Sequence, residues 1–378
     1  MQKRVVIIGP AYPLRGGLAT FDQRLAQEFG AEGTSCEIVS FSLQYPSLLF
    51  PGKTQYSTDE APKDITIRSL INSVNPANWL LVGNMLRDER PDIVVVRFWI
   101  PFMGPALGTI LRRIKKNGHT KVICIADNVI PHERRPGDKA FTRYFLKACD
   151  GFITMSDKVL KDLRLFEQSK PAVLVQHPLY DTFGERMDQG AAREKLGLGK
   201  EGKLVLFFGF IRHYKGLDLL LQAMNDTRIR QEDIKLLVAG EFYEDEKLYH
   251  QLIAQYNLAD RVILRSNFIP DSEVRYYLCA ADVVVQPYRN ATQSGVTPLA
   301  YHFEKPMIVT NVGGLPSLVP HERAGLVCEP EPSSIADALL RFYQLGEQYF
   351  IPHLRTEKQK YAWSNLTGAV YKLAEEIG

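Results

Sequence analysis

The sequence predicts an α/β protein made of two doubly wound parallel-sheet domains. Three observations lead there. At 378 residues the chain exceeds what one core organises and suits two domains of about 100–200 residues each. Near-continuous apolar, β-branched runs alternate with helical patterns, as strands do when helices cover both faces of a parallel sheet. A polar stretch with several glycines, 177–200, interrupts that alternation, after which it starts again.

The first six runs are RVVIIG (4–9), CEIVSF (36–41), PDIVVVRFW (91–99), KVICIAD (121–127), GFITMS (151–156) and AVLVQ (172–176). Six more follow the interruption: KLVLFFG (203–209), IKLLVAG (234–240), RVILRSN (261–267), DVVVQPY (282–288), PMIVTNV (306–312) and GLVCE (325–329). A helical segment over 355–377, with Trp363 near its start, ends the chain. The expected domains are 1–180 with the terminal segment 355–378, and 181–354. Doubly wound sheets bind ligands beyond the C-terminal ends of their strands, so the turns there, around an inter-domain cleft, are the expected site.

Composition is that of a globular protein, with 45% apolar and 24% charged residues. No apolar run approaches the ~20 residues that span a bilayer, and MQKRVVIIG leads into a strand rather than a signal peptide. Cys36, Cys124, Cys149, Cys279 and Cys328 are scattered without a CxxC pair, which points to a reducing, cytoplasmic compartment and away from a zinc site. Net charge is only +3, yet residues 1–175 hold 24 basic against 17 acidic side chains. Within 101–147 the count is ten against three, including RRIKK (112–116). Two readings fit: a solvated helix whose cations favour its C-terminal end, or a face for an anionic membrane or a phosphorylated acceptor. No aromatic-plus-basic stripe suggests nucleic acid.

Four turns carry candidate chemistry. In GPAYPLRGGLATFDQRLA, Pro10 and Pro13 delay the helix until Gly16 and Gly17, a glycine pair that lets backbone approach a ligand and offers N–H groups to an anion. In ADNVIPHERRPGD, Asp127 and His132 stand beyond a strand end. There they can bind sugar hydroxyls or handle a proton, or else simply stabilise a turn and form a surface pair with Glu133. In GFIRHYKGLD, Arg212 and Lys215 sit on a strand-to-helix turn. Two cations beside helix N–H groups suit a diphosphate better than a carboxylate. Finally QPYRNATQSGVTPLA brings Gln293, Ser294, Gly295, Val296 and Thr297 to another helix start. Ser294 and Thr297 are its hydroxyl donors, and the loop is the other half of a phosphate cradle. No DxD pair in these turns suggests a metal ion.

With these turns in hand, the chain resembles the family-4 retaining glycosyltransferases, which have the GT-B fold. The resemblance runs through Gly16 and Gly17, CDGFITMSDKVLKDL (149–163), GFIRHYKGLDLLLQAM (209–224), LVAGE (237–241), DVVVQPY, EKPMIVTNVGGLP (304–316) and YAWSNL (361–366). It implies a donor domain at the C-terminal side, an acceptor domain at the N-terminal side and a last helix that crosses back to brace the latter. It also implies transfer from a nucleotide-diphospho-sugar, such as a UDP- or GDP-sugar, with retained configuration and without a metal or other cofactor. The implied acceptor is a glycan or lipid-linked glycan of the cell surface, which suits a cytoplasmic enzyme held at the inner face of the membrane. Three positions depart from the family pattern. Ala291 and Leu299 stand where it commonly has two glutamates, leaving Glu304 or another residue to hold the ribose. Phe210 stands where an arginine often follows the glycine, and Asp127 stands where a histidine is usual. The same fold also serves nucleotide-sugar epimerases and phosphorylases, and the missing glutamates suit a non-catalytic nucleotide-sugar-binding protein.

Overall fold

The computed structural model describes residues 3–46, 55–57, 60–131, 135–291 and 294–377. The chain forms two compact units, Met1–Pro178 together with Ala362–Gly378, and Leu179–Tyr361.

The first unit holds seven strands, β1 Arg4–Ile8, β2 Ser35–Leu43, β3 Thr66–Asn72, β4 Ile93–Phe98, β5 Lys121–Ala126, β6 Gly151–Thr154 and β7 Ala172–Leu174. They form one parallel sheet in the order β3-β2-β1-β4-β5-β6-β7. Side chains alternate between its faces, as a two-residue period requires. Val6, Ile8, Val94, Val96, Val122 and Cys124 point to one core, while Val5, Ile7, Ile93, Val95, Ile123 and Ile125 point to the other. Helices Gly104–Ile114 and Asp138–Leu146 cover the first face, where Phe98 stacks on Phe145 at 4.1 Å between centroids. Helices Gly17–Ala31 and Trp363–Glu376 cover the second, through Phe21, Leu25 and Phe29 and through Trp363, Leu366 and Val370.

The second unit holds six strands, β8 Lys203–Phe208, β9 Ile234–Ala239, β10 Val262–Arg265, β11 Val283–Gln286, β12 Met307–Thr310 and β13 Gly325–Cys328. They pair in parallel in the order β10-β9-β8-β11-β12-β13. The order reverses between β8 and β11, so the turns that leave these two strands diverge around a crevice.

The terminal segment corrects the expectation of one helix over 355–377. Helix Glu347–Lys358 belongs to the second unit, where Phe350, Ile351 and Leu354 enter its core. The chain then passes through Gln359–Tyr361 and an extended Ala362 before helix Trp363–Glu376 joins the first unit. Strand β3 is the one strand of the described residues that the apolar runs do not announce. It lies at the sheet edge with only Ile71 fully buried.

Candidate functional site

Arg212 and Lys215 lie on the turn between β8 and helix Leu217–Met224, and each element is fixed by a glycine. Gly209 leaves β8 at φ +93, and a Cβ there would stand 3.2 Å from the Lys215 Nζ. Gly216 has φ +70, and a Cβ there would fall 2.0 Å from the Pro287 carbonyl oxygen. The turn therefore packs directly on the chain leaving β11. Arg289 completes that contact, donating to both oxygens of Asp218 at 2.7 and 2.5 Å and, through its backbone N–H, to the Tyr214 carbonyl at 2.8 Å.

Between these turns lies a cavity of about 370 Å³, lined among others by Gly209, Lys215, Tyr288, Ser294, Gly295 and Val296. The Lys215 side chain is almost wholly buried, with its Nζ 5.8 Å from the centre of the Tyr288 ring. Burial, aided by the nearby Arg212 charge, pushes its amine down to about 8. Arg212 is exposed, its guanidinium 4.9 Å from the Tyr243 ring centre. No carboxylate or other acceptor among the described residues reaches either cation. Asp218, the acid nearest along the chain, is taken by Arg289. Of the two cations, Lys215 lines the cavity and Arg212 does not, and a buried cation without a counter-charge is receptive to an anion.

In the second turn Ser294 lines the cavity, and its hydroxyl and that of Thr297 also serve the fold. Both donate to Oε1 of the buried Gln286, at 2.5 and 3.2 Å, while the Ser294 oxygen accepts from the Val296 N–H at 3.1 Å. Gln286 thereby ties the loop and the start of helix Val296–His302 to the end of β11, and Thr297 does not line the cavity. Gln293 lies outside the described residues. Glu304, the candidate to hold the ribose, is not among the cavity's lining residues. Its carboxylate accepts from Arg186 at 2.9 Å and Arg355 at 3.0 Å, away from the cavity. Leu299 does line the cavity, and the carboxylates on its walls are Glu241 and Asp271, neither of which meets a cation among the described residues. Phe210 and Phe268, 42% and 63% exposed, add apolar walls at its rim.

In the first unit, Gly16 and Gly17 are exposed at the start of helix Gly17–Ala31, Gly16 at φ +113. His132 lies outside the described residues. Asp127 follows β5, and Arg97 donates to both of its oxygens at 2.6 Å each. Arg97 projects from β4 toward the helix-covered face, lies 3.9 Å from the Phe21 ring centre and donates to Asp22 at 3.3 Å. Asp22 is fully buried, with its Oδ2 lacking any partner. Loss of solvation pushes its carboxyl up to about 8, the Asp127 charge adding to the rise and Arg97 opposing it. One neutral acid beside an Arg97–Asp127 pair leaves the cluster without net charge. The sequence signal for it was an arginine inside the apolar run VVVRF and an aspartate on the buried face of a helix. Among the described residues no group of three His, Cys, Asp or Glu side chains could hold a metal ion, and no helix is long and apolar enough to cross a membrane.

Parallel sheets of seven and six strands, the second with a cavity at its switch point, have the architecture of the GT-B fold. The chain belongs to the family-4 glycosyltransferases. The family model Glycosyltransferase Family 4 matches residues 15–179 and the model Glycosyl transferases group 1 matches residues 188–357. An uncharacterized glycosyltransferase of Methanocaldococcus jannaschii is 29% identical over 198 residues, covering 49% of this chain and 48% of that protein. A Bacillus subtilis glycosyltransferase named for teichuronic acid biosynthesis is 25% identical over 260 residues, covering 68% and 62%. The matches thus span about half to three-fifths of these relatives' length. The Anabaena protein HepE, solved in complex with UDP, superposes with a TM-score of 0.65 over 99% of this chain and 100% of that one. At 13% identity this is a likeness of fold.

Proposed function

We propose that the protein transfers a sugar from a nucleotide-diphospho-sugar to a glycan or lipid-linked acceptor, with retention and without a metal ion, in assembly of a cell-surface polysaccharide. The observation that carries this reading is the pair Arg212 and Lys215, cationic and without a counter-charge among the described residues, at the β8/β11 switch point. When the glycosidic bond to the diphosphate breaks, negative charge grows on phosphate oxygens, and fixed cations placed there lower the barrier. That is the work a divalent metal performs in other transferases. The cavity's Glu241 and Asp271 are the groups to accept hydrogen bonds from donor hydroxyls, in place of the glutamates that Ala291 and Leu299 displace. In the first unit, Asp127 keeps one lone pair on each oxygen after pairing with Arg97 and is the group to meet the donor sugar, with His132 as the other candidate on that turn. The polysaccharide assignment draws on the Bacillus relative's name, and the UDP-type donor on the Anabaena complex.

Incubation with a panel of radiolabelled UDP- and GDP-sugars tests the reading. Slow release of nucleoside diphosphate from one of them, undiminished by a chelator, is expected. Conversion of one sugar nucleotide into another would instead make the protein an epimerase. Binding without turnover of any donor would make it a non-catalytic sugar-nucleotide-binding protein.

A further inference from the structure

The first unit buries one acid more than its buried cation requires. Arg97 carries a single charge, and Asp127 balances it through two hydrogen bonds of 2.6 Å. Asp22 adds another carboxyl at the guanidinium, accepting from Nη1 at 3.3 Å. The two acids are placed differently. The Asp127 side chain keeps 17% of its surface in solvent, while those of Asp22 and Arg97 keep 1% and 3%. Gly9 makes room for Asp22, because a Cβ at position 9 would stand 2.2 Å from Oδ2. The Phe21 ring covers the guanidinium at 3.9 Å and closes Arg97 in. The Asp22 Oδ2 has no partner at all. A buried carboxyl with an unsatisfied oxygen costs free energy that an apolar side chain of similar size would not. Such a group points to a task beyond the fold. The group it acts on is Arg97, which two acids contest.

We propose that Arg97 and Asp22 are positioning residues for Asp127: Arg97 fixes the direction of the Asp127 carboxylate, and a proton on Asp22 keeps Arg97 from being divided between two anions. This role rests on the reading of Asp127 given above. With Asp22 protonated, the cluster holds one cation and one anion, and the guanidinium keeps both hydrogen bonds to Asp127. Loss of the proton leaves two anions on one buried cation. The Nη1 contact with Asp22 then shortens, the Nε and Nη2 bonds lengthen, and Asp127 is no longer held in one direction. A shift of about 1 Å at a reacting group can cost ~10²-fold in rate. The groups that face Asp22 are Arg97 from β4, Asp127 after β5 and His177 after β7, whose ring lies 5.2 Å from that of Phe21. Burial lowers His177 below its ordinary range, so it is neutral where Asp22 titrates. Burial raises Cys124, behind Arg97 on β5, well above the ordinary thiol range, so it stays protonated there. The charge that changes inside this cluster as pH rises through about 8 is that of Asp22.

NMR of the full chain labelled with nitrogen-15 arginine, titrated from about pH 6 to 9.5, reads this exchange without any substrate. The Arg97 Nε–H, assigned by its Overhauser contact with the Phe21 ring, should move as pH rises through about 8 and stay in place in Asp22→Asn. A resonance that stays still in the native chain, or moves alike in Asp22→Asn, overturns the proposal. Turnover reads the consequence, with the donor that the panel above identifies. The ratio of the Asp22→Asn kcat to the native kcat, from which Lys215 cancels, should rise several-fold between about pH 7 and 9. Arg97→Lys should lower kcat at least about tenfold while UDP affinity, which belongs to the second unit, stays native. A level ratio, or an equal loss of UDP affinity in Arg97→Lys, would reduce the cluster to a support of the fold. The two readings fail separately. No donor breakdown by the native chain, or full breakdown by Asp127→Asn, would remove the positioning role while the spectrum still shows the contest for Arg97.

Discussion

Lys215 carries the donor reading, and its burial makes that role measurable. The ammonium, not the amine, attracts a diphosphate. A group whose folded pKa is pushed down to about 8 holds its charge below that pH and loses it above. UDP affinity should therefore be level from about pH 6.5 to 7.5 and fall as pH rises through 8 and 9, with proton uptake on binding in that window. Calorimetry in buffers of different ionisation enthalpy reads both, and a flat profile removes Lys215 from the phosphate site. Lys215→Ala should cost ~10²–10³ in turnover, the loss typical of one donor to a developing oxyanion. Asp22 works in the opposite direction. Its carboxyl is pushed up, so the native state binds a proton that the unfolded chain has released. That contribution is complete below the unfolded carboxylate range and disappears as pH rises through about 8. The melting temperature should accordingly fall between about pH 5 and 8, and Asp22→Asn should flatten the decline. An identical slope in the variant would mean that Asp22 is already ionised in the native protein.

The elements show why some of this architecture is legible in sequence. All twelve apolar runs are strands, the central ones because a strand buried on both faces must be apolar throughout, while the edge strands β7 and β10 are apolar though only partly buried. TIRSLIN escapes that test because Arg68 and Ser69 interrupt its apolar residues, which an edge position tolerates. The cationic turn was legible because glycine and two cations between a strand and a helix are local facts. The acid cluster was not, because Asp22, Arg97 and Asp127 lie on three elements far apart in sequence and only the sheet order brings them together. The tie from the Ser294 and Thr297 hydroxyls to Gln286 was hidden for a similar reason, their acceptor being the last residue of the preceding strand. The turn's geometry depends just as strictly on Gly216. Gly216→Ala puts a methyl 2.0 Å from the Pro287 carbonyl at a φ of +70, so either the turn or the chain after β11 must move. A loss of several kcal/mol is expected from the overlap together with the left-handed backbone. UDP binding should fall further than stability does, which thermal melts and titration on one sample compare. Native UDP affinity in this variant would show that the turn tolerates a shift.

Taken whole, the chain returns to its first unit after completing the second, and this makes the two units unequal when cut. Every lining residue of the 370 Å³ cavity lies within 179–361, a continuous stretch with its own core. The first unit depends on the last helix, which places Trp363, Leu366, Val370 and Leu373 against β5, β6 and helix Gly17–Ala31. Those four side chains, at ~1.5–3 kcal/mol each, contribute roughly 6–12 kcal/mol. That is about the whole stability of an ordinary domain, ~5–15 kcal/mol. Truncation after Tyr361 should therefore unfold the first unit, seen as early loss of protease resistance in residues 1–178. The fragment 179–361 should fold alone and bind UDP through Lys215 and Arg212, yet transfer no sugar, because Asp127 is absent from it. If the fragment folds and fails to bind UDP while the full chain binds it, the donor site draws on residues of the first unit. The assignment of the nucleotide to the 370 Å³ cavity alone would then be wrong.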